Sequence, residues 1–377
     1  MTMIIKRDYY LQQLISSKSN NLIKIVTGIR RSGKSFLLFN LFHNHLIETG
    51  ISEDHIIEIA LDDRLNKNLR DPDVILQHIH ERIVDDKLYY IILDEVQMID
   101  EFTDVLNSLL HIRNADVYVT GSNSRFLSKD VVTEFRGRGD EIHLFPLSFA
   151  ELYNSVGGDK FDLWKSYYTY GGLPGILELD SEKKKAAYLR SLHETVYLKD
   201  IIERNNLKNS EEFMELMRVM ASCIGSPCNP SKLENTFKSV KNETLDRKTI
   251  SKYLSYMEDA FLIEKSMRYD IKGRKYIGTL SKYYFQDIGL RNALLNFRQV
   301  EENHIMENVI YNELRLRGFC VDVGMVEART AKERKQLEVD FVANMADRRY
   351  YIQSAFAMPD DDKREQECAS LKRIDDS

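Results

Sequence analysis

The chain has 377 residues, of which 43% are hydrophobic and 30% are charged, and it contains only 6 Pro and 17 Gly. This length predicts two or three domains, and the composition excludes disordered and collagen-like chains. The formal net charge of −6 gives no overall sign of nucleic-acid binding, so such a role would depend on a local basic patch.

Neither a membrane segment nor a disulfide framework is indicated. The chain has no run of 18 apolar residues, and Lys6, Arg7 and Asp8 stand where a signal peptide would need apolar ones. Four scattered cysteines without a CxxC pair suggest neither disulfides nor zinc. We therefore expect a cytoplasmic protein that does not span a membrane.

The first element with clear chemistry is a strand, a glycine loop and a helix. The β-branched run 23–27 leads into a GxxxxGKS motif at 28–35, and an apolar helical pattern follows. Backbone N–H groups of such a loop point at phosphates, while Lys34 would neutralise the β- and γ-phosphates and Ser35 would ligate Mg²⁺. The alternative is a plain glycine-rich turn. The residues assigned to the nucleotide are Gly28, Arg30, Arg31, Ser32, Gly33, Lys34 and Ser35.

A second apolar run, 89–93, ends in Asp94 and Glu95. Carboxylates at the end of a buried parallel strand lie in the crevice where open α/β sheets bind ligands. Asp94 could hold the Mg²⁺ ion, and Glu95 could act as general base toward the attacking water. Alternatively, the two acidic residues only begin the following helix, because acidic residues favour first turns.

Two further segments carry candidate residues for the same reaction. The run 116–120 is followed by Gly121, Ser122 and Asn123, and the segment 135–139 contains Arg136 and Arg138. A delocalised guanidinium near a loop is what an arginine finger requires, in the same or a neighbouring subunit. Arg138 is the first candidate and Arg136 the second, and a solvated basic turn is the alternative.

Together these motifs resemble prokaryotic AAA-superfamily ATPases that carry the C-terminal domain of unknown function 4143 (DUF4143). The resemblance covers nearly the whole chain, and its marks are the segments 27–35, 93–97, 120–124, 145–149 and 170–174. It implies an ATPase that uses ATP and Mg²⁺. It also implies that Asn123, or else Ser122, is the polar sensor near the γ-phosphate or the water.

The predicted fold class is α/β, with a P-loop parallel-sheet domain at 1–148. A helical region is expected at 149–205, a winged helix-turn-helix at 206–285, and a degenerate restriction-endonuclease-like domain at 286–377 that is incomplete at its C-terminus. Within the helical region, the stretch 170–175 interrupts the helical pattern. It would be a hinge or a binding segment.

The predicted winged helix carries a local basic patch. Residues 241–282 contain ten Lys and Arg against six Asp and Glu, a local net charge of +4. If this module binds DNA, one helix and one loop would make the contacts, with the loop on the phosphates. The alternative is that it packs against a protein. The residues proposed for DNA are Arg247, Lys248, Ser251, Lys252, Lys272, Arg274 and Lys275.

The last segment resembles the restriction-endonuclease-like core, with Glu307 on a helix and Asp340 on a strand. The third element of that core would be an E-x-K strand, but here it reads Gln353-Ser354-Ala355. Without this glutamate and lysine, a hard oxygen ligand and the cation that assists the water are missing. We therefore expect a nuclease-like fold with an inactive site.

Three functions follow from these motifs. The first is an ATP-hydrolysing switch that controls the C-terminal modules. The second is a DNA-binding regulator that uses ATP without significant turnover, and the third is an active nuclease. ATP is the expected ligand, and DNA through residues 241–282, a homo-oligomer or a protein partner are the candidate partners.

Overall fold

The computed structural model describes residues 4–121, 138–241, 245–298, 302–329, 334–355, 357–358 and 360–374. The chain divides into two compact units. The first comprises residues 1–157 and 259–261, and the second comprises residues 158–258 and 262–377. Each unit is described by itself. None of the helices in the described part of the chain has both the length and the apolar character that a membrane crossing requires.

The first unit contains a parallel sheet. Among the described residues its strand order is β2-β3-β4-β1-β5, and each neighbouring pair is parallel. The strands are β1 (Ile23–Thr27), β2 (Ile56–Ala60), β3 (Tyr89–Asp94), β4 (Ala115–Thr120) and β5 (Gly139–His143). Because all strands run the same way, their carboxyl ends meet at one edge, where a ligand crevice forms.

Helices cover this sheet, as apolar parallel strands require. All residues of β1 and β3 are buried, and alternate residues of both strands form one core with α4 and α5. The segment Leu37–Phe42, which connects α2 to α3, is a π-helix. The helices are α1 (Asp8–Ser16), α2 (Lys34–Phe36), α3 (His43–Glu48), α4 (Pro72–Arg82), α5 (Phe102–Leu109) and α6 (Phe149–Val156). The predicted P-loop NTPase fold class is confirmed.

The second unit begins with helices. Short polar residues start several of them, and Asp159, Ser181 and Asn229 each accept a backbone N–H at a helix N-terminus. The helices are α7 (Lys160–Tyr170), α8 (Glu182–Leu192), α9 (Lys199–Asn205), α10 (Ser210–Ser222), α11 (Pro230–Thr236), α12 (Arg247–Asp259), α13 (Ile288–Leu294), α14 (Glu302–Leu316) and α15 (Asp361–Cys368).

A second sheet lies in this unit, with the order β10-β9-β8-β6-β7 in its described part. The strands are β6 (Ile263–Asp270), β7 (Lys275–Phe285), β8 (Cys320–Arg329), β9 (Arg334–Met345) and β10 (Arg348–Ile352). The hairpin β6–β7, expected as the wing, also pairs through β6 with β8 in parallel. The strands expected in two modules thus form one sheet across the predicted boundary at 285.

The stretch 170–174 has a structural partner in the second unit. The carboxylate of Asp287 accepts the backbone N–H of Gly172 at 2.8 Å and that of Leu290 at 2.9 Å. Burial raises the pKa of Asp287 to about 6, although the N–H donors act in the opposite direction. Asp287 therefore joins this turn to the first turn of α13.

Gly289 lets the backbone of α13 approach this turn closely. A Cβ at Gly289 would collide with the carbonyl oxygen of Tyr170, which is backbone and cannot rotate away. We predict that Gly289→Ala lowers the free energy of unfolding by about 2–3 kcal/mol, measured by urea denaturation. Gly278→Ala is the matched control, because a Cβ there meets nothing within 4 Å. Equal stability of the two variants would contradict this role.

Candidate functional site

The glycine loop at the carboxyl end of β1 depends on close backbone approach. Gly28 has φ +136°, and a Cβ there would collide with the carbonyl oxygen of Leu144. Gly33 has φ +98° and immediately precedes α2. A side chain would not fit at Gly28, and Gly33 has a left-handed backbone that other residues rarely adopt. The shape of the loop therefore requires both glycines of the motif.

Lys34 lies inside the loop. Its side chain is buried, and Nζ donates to the carbonyl oxygens of Gly28 at 3.0 Å and Ile29 at 3.2 Å. Burial lowers the pKa of Lys34, and the nearby carboxylates of Glu95 and Asp94 partly offset this effect. A cation is therefore held among loop carbonyls, next to two acidic side chains.

Asp94 ends β3 beside Thr120, the last residue of β4. The Thr120 hydroxyl donates to the Asp94 carboxylate, and Ser35 is a second hydrogen-bond partner of that carboxylate. Burial raises the pKa of Asp94, while these two hydrogen bonds lower it. A hydroxyl and a carboxylate thus meet at the edge of the sheet that carries the glycine loop.

Glu95 has a left-handed backbone, with φ +53°. Its N–H donates to the Thr120 hydroxyl at 2.9 Å, and the amide nitrogen of Gln97 donates to its carboxylate. Thr120 and Gln97 were not identified from sequence as site residues. Both stand at or just after strand ends, which is the signal that could have revealed them. The same signal applies to Asp62, whose charge contributes to raising the pKa of Asp94.

The remaining candidates differ in position. Arg31 is exposed with φ +65°, and the charge of half-buried Arg30 contributes to the lowered pKa of Lys34. The sensor candidates Asn123 and Ser122, and the second finger candidate Arg136, lie outside the described residues.

Arg138 lies at the other end of the sheet. It immediately precedes β5, whose first residue pairs with Ile23 at the start of β1, and its Nη1 donates to Asn107 at 3.1 Å. The glycine loop follows the end of β1, so the length of that strand separates Arg138 from the loop of its own chain. Arg138 therefore does not lie beside the glycine loop of its own chain.

The residues present fit a magnesium nucleotide. Lys34 supplies a buried cation, and the loop after β1 supplies backbone donors at the start of a helix. Ser35 and Asp94 supply the hard oxygen atoms that Mg²⁺ prefers.

A second polar cluster lies in the C-terminal unit, where Glu307, Asp340 and Gln353 line one cavity of about 580 Å³. Lys282 of β7 is buried in this cluster, with Nζ 2.8 Å from Glu307, 2.7 Å from Glu338 and 3.7 Å from Asp340. Ala355 stands where the E-x-K lysine would be, but another lysine reaches these carboxylates. The lysine comes from a strand far from Ala355 in sequence.

The cluster has one ammonium for three carboxylates. Burial, and then the charge of Glu307, raise the pKa of Asp340 to about 6, whereas Lys282 acts in the opposite direction. The pKa of Lys282 is raised, because attraction to Glu307, Glu338 and Asp340 outweighs the large opposing effect of its burial. In the described part of the chain, no group of three or more His, Cys, Asp and Glu side chains is arranged to hold a metal ion.

Comparison with known proteins matches two different parts of the chain to two different domains. Residues 20–153 match the model of an AAA domain. An uncharacterised protein of Haemophilus influenzae is 34% identical over 364 residues, which cover 95% of this chain and 88% of that protein. The chain belongs to the same family. An uncharacterised protein of Methanocaldococcus jannaschii is 28% identical over 391 residues, which cover 99% of this chain and 82% of that protein.

The family's C-terminal region differs from the expected one. Residues 161–301 match a domain of unknown function named DUF8612, so the expectation of DUF4143 is not met. The AAA domain places the chain among nucleotide-binding, ATPase-like proteins, which confirms the broader expectation of an AAA-superfamily member.

Solved structures similar to the chain include the Orc1 protein of Aeropyrum pernix in complex with DNA. It is 12% identical, with a TM-score of 0.32, and the match covers 78% of this chain and 93% of that chain. A Cdc6 protein of Pyrobaculum aerophilum is 13% identical with a TM-score of 0.32, over 80% of this chain and 94% of that chain.

Proposed function

We propose that this protein binds Mg-ATP, hydrolyses it slowly, and uses the nucleotide state to control its C-terminal unit. The observation that carries the proposal is the meeting of Lys34, Ser35, Asp94 and Glu95 at one edge of the first sheet. Steady-state phosphate release from Mg-ATP, with and without duplex DNA, tests it. A switch coupled to DNA changes its turnover when duplex is added.

Each side chain of this site has a defined task in that reaction. The nucleotide supplies the phosphoryl group, and Mg²⁺ compensates its charge. Lys34 binds the phosphates with its ammonium group, and Asp94 with the Ser35 hydroxyl holds the metal. Glu95 accepts a proton from the attacking water, and Gln97 and Thr120 fix its position through the contacts described above.

Asn123 is proposed as the sensor residue, and Arg138 as a finger in trans. A guanidinium from a neighbouring subunit would stabilise the charge on the transferred phosphoryl group. We predict that specific ATPase activity rises with protein concentration, and that Arg138→Ala lowers turnover about 10²-fold or more while the Kd for ATP stays within threefold. Turnover strictly proportional to enzyme concentration, from a protein that is monomeric throughout, would contradict this assignment.

A DNA-binding regulator is the second candidate, because α12 presents a polar and basic face. Arg247, Lys248, Ser251 and Lys252 are all exposed, as are Lys272 and Arg274 between β6 and β7 and Lys275 at the start of β7. Lys282, counted in the basic patch from sequence, is buried and cannot contribute. As a winged helix, this module would place α12 in a groove and the loop on phosphates.

The C-terminal cluster is proposed to be inactive as a nuclease. The Lys282 ammonium bridges Glu307, Glu338 and Asp340, so the charge of these carboxylates is compensated by a side chain of the protein itself. Any DNA bound nearby would therefore be held and not cut.

Two assays with DNA separate a DNA-binding regulator, a nuclease and a protein-binding module. We predict that labelled duplex binds with an affinity that falls steeply with salt, and that Lys248→Ala or Lys252→Ala each reduces the salt slope by about one. The exposed Lys165 on α7 provides the control substitution, Lys165→Ala.

We also predict no nicking of supercoiled DNA in Mg²⁺ or Mn²⁺. Nicking that Asp340→Ala abolishes would establish a nuclease, whereas no salt-dependent binding would favour a protein partner.

A further inference from the structure

Arg7, the residue before α1, is one of the most deeply buried charged side chains of the first unit, with 4% of its surface exposed. A guanidinium out of water requires partners for its charge and its N–H donors. Nη1 donates to the carbonyl oxygen of Ser32 at 3.3 Å, and Nη2 donates to that of Phe145 at 2.8 Å. Arg7 thus connects the glycine loop to the segment after β5.

The guanidinium is held in place from two further sides. Nε lies 2.8 Å from the Glu151 carboxylate, an ionic contact without the alignment of a hydrogen bond. Glu151 is itself fixed, because its other oxygen accepts the N–H of Ser148 at 2.9 Å in the capping box of α6. The ring of Tyr10 covers the guanidinium, with 4.6 Å between Arg7 Cζ and the ring centre.

The contact with Ser32 determines the direction of a phosphate-loop donor. In a planar trans peptide the C=O and the following N–H point in opposite directions. With the Ser32 carbonyl directed at Arg7, the N–H of Gly33 points away from Arg7. That N–H is one of the donors that the GxxxxGKS pattern directs at phosphates.

Backbone hydrogen bonds flank this peptide, from the Ser32 N–H to the Ile29 carbonyl at 3.3 Å and from the Leu37 N–H to the Gly33 carbonyl at 2.9 Å, but neither uses the Ser32 carbonyl or the Gly33 N–H. Arg31 and Gly33, on either side of Ser32, both have left-handed backbone, with φ +65° and φ +98°. For Arg31 this conformation is costly. The buried hydroxyl of Ser32 has no hydrogen-bond partner in the described part of the chain, so that side chain does not fix the loop.

We propose that Arg7 is a positioning residue for nucleotide binding. Its guanidinium fixes the Ser32–Gly33 peptide so that the Gly33 N–H stays directed at the phosphates, and Arg7 itself does not touch them. This role rests on the proposed nucleotide site. It also gives the segment 145–149 a task, because Phe145 and the Ser148–Glu151 pair hold the guanidinium from the other side.

The test measures binding of a fluorescent ATP analogue and ATP turnover by the full-length protein. For Arg7→Met we expect at least a tenfold rise in Kd and in KM, with kcat within threefold of wild type, because the peptide contact is made before the reaction. Arg7→Lys keeps the charge near Glu151, but a lysine cannot bind two carbonyl oxygens as the forked guanidinium does. Its Kd for the ATP analogue should therefore rise at least fivefold.

Two variants separate positioning from mere support of α1. Tyr10→Phe removes the hydrogen bond between the Tyr10 hydroxyl and the N–H of Phe145, 3.2 Å long, and leaves the Ser32 contact intact. It should change Kd less than twofold. Arg7→Met combined with Glu151→Gln removes both charges, and the affinity should stay low. Circular dichroism and urea unfolding verify that each variant is folded.

Wild-type affinity in the double variant would overturn the proposal, because the loss would then come only from an unpaired carboxylate. Equal losses in Tyr10→Phe and Arg7→Met would also overturn it, because any loosening of α1 would then suffice. Failure of the wild type to bind the analogue would overturn the nucleotide site itself, and the role of Arg7 with it.

Discussion

Replacing Lys34 with alanine is expected to abolish nucleotide binding, with the Kd for Mg-ATP rising at least about 100-fold. The ammonium is buried inside the glycine loop, where no other described lysine takes its place. Calorimetric titration with ATP in Mg²⁺ measures the change. Burial lowers the pKa of Lys34, which means that the folded protein gains little from this charge.

The same substitution should therefore leave the fold intact. The free energy of unfolding of Lys34→Ala should equal that of the wild type within about 1 kcal/mol, since an unfavourable buried charge is removed together with its contacts. This separates lost binding from lost structure. A folded Lys34→Ala protein that binds ATP as tightly as the wild type would contradict the site.

Glu95→Gln is expected to retain ATP and to lose turnover by about 10²–10³-fold. The substitution preserves size and leaves Asp94, Ser35 and Lys34 unchanged, but the amide cannot accept a proton from water. Single-turnover hydrolysis and the amount of ATP retained after gel filtration measure the two effects.

Glu101→Gln provides the matched control for this change. Glu101 is exposed and also has left-handed backbone, with φ +51°, but it follows the strand end by several residues. Its substitution should leave turnover within twofold. If Glu95→Gln hydrolyses ATP at the wild-type rate, another group is the base.

Sequence was sufficient for the features that are local. The P-loop is one continuous segment whose glycines and lysine stand at fixed spacing, so a strand, loop and helix could be predicted without knowing any distant contact. The position of Asp94 and Glu95 at the end of a buried strand is equally local. The parallel sheet follows from the alternation of strands and helices.

Contacts between distant segments could not be predicted in this way. Arg7 reaches Ser32 and Phe145, and Lys282 reaches Glu307, Glu338 and Asp340, across separations that no periodic pattern records. From the sequence, Arg7 was only one of the charged residues that argue against a signal peptide.

The pairing of strands that are distant in sequence could not be predicted either. The hairpin β6–β7 is local and was predicted, but the parallel pairing of β6 with β8 joins it to a sheet that sequence assigned to another module. In the first unit, the pairing of β5 with the start of β1 puts Arg138 at the edge away from the glycine loop. Strand order and register decide both positions, and neither follows from the residues of one strand.

Phosphate release from Mg-ATP by purified wild type and Lys34→Ala, compared in parallel, tests the nucleotide site most directly. We expect slow, linear release by the wild type that falls at least about 100-fold in the variant. Equal release by the two proteins, with both folded, would show that Lys34 and the glycine loop do not form the site of hydrolysis.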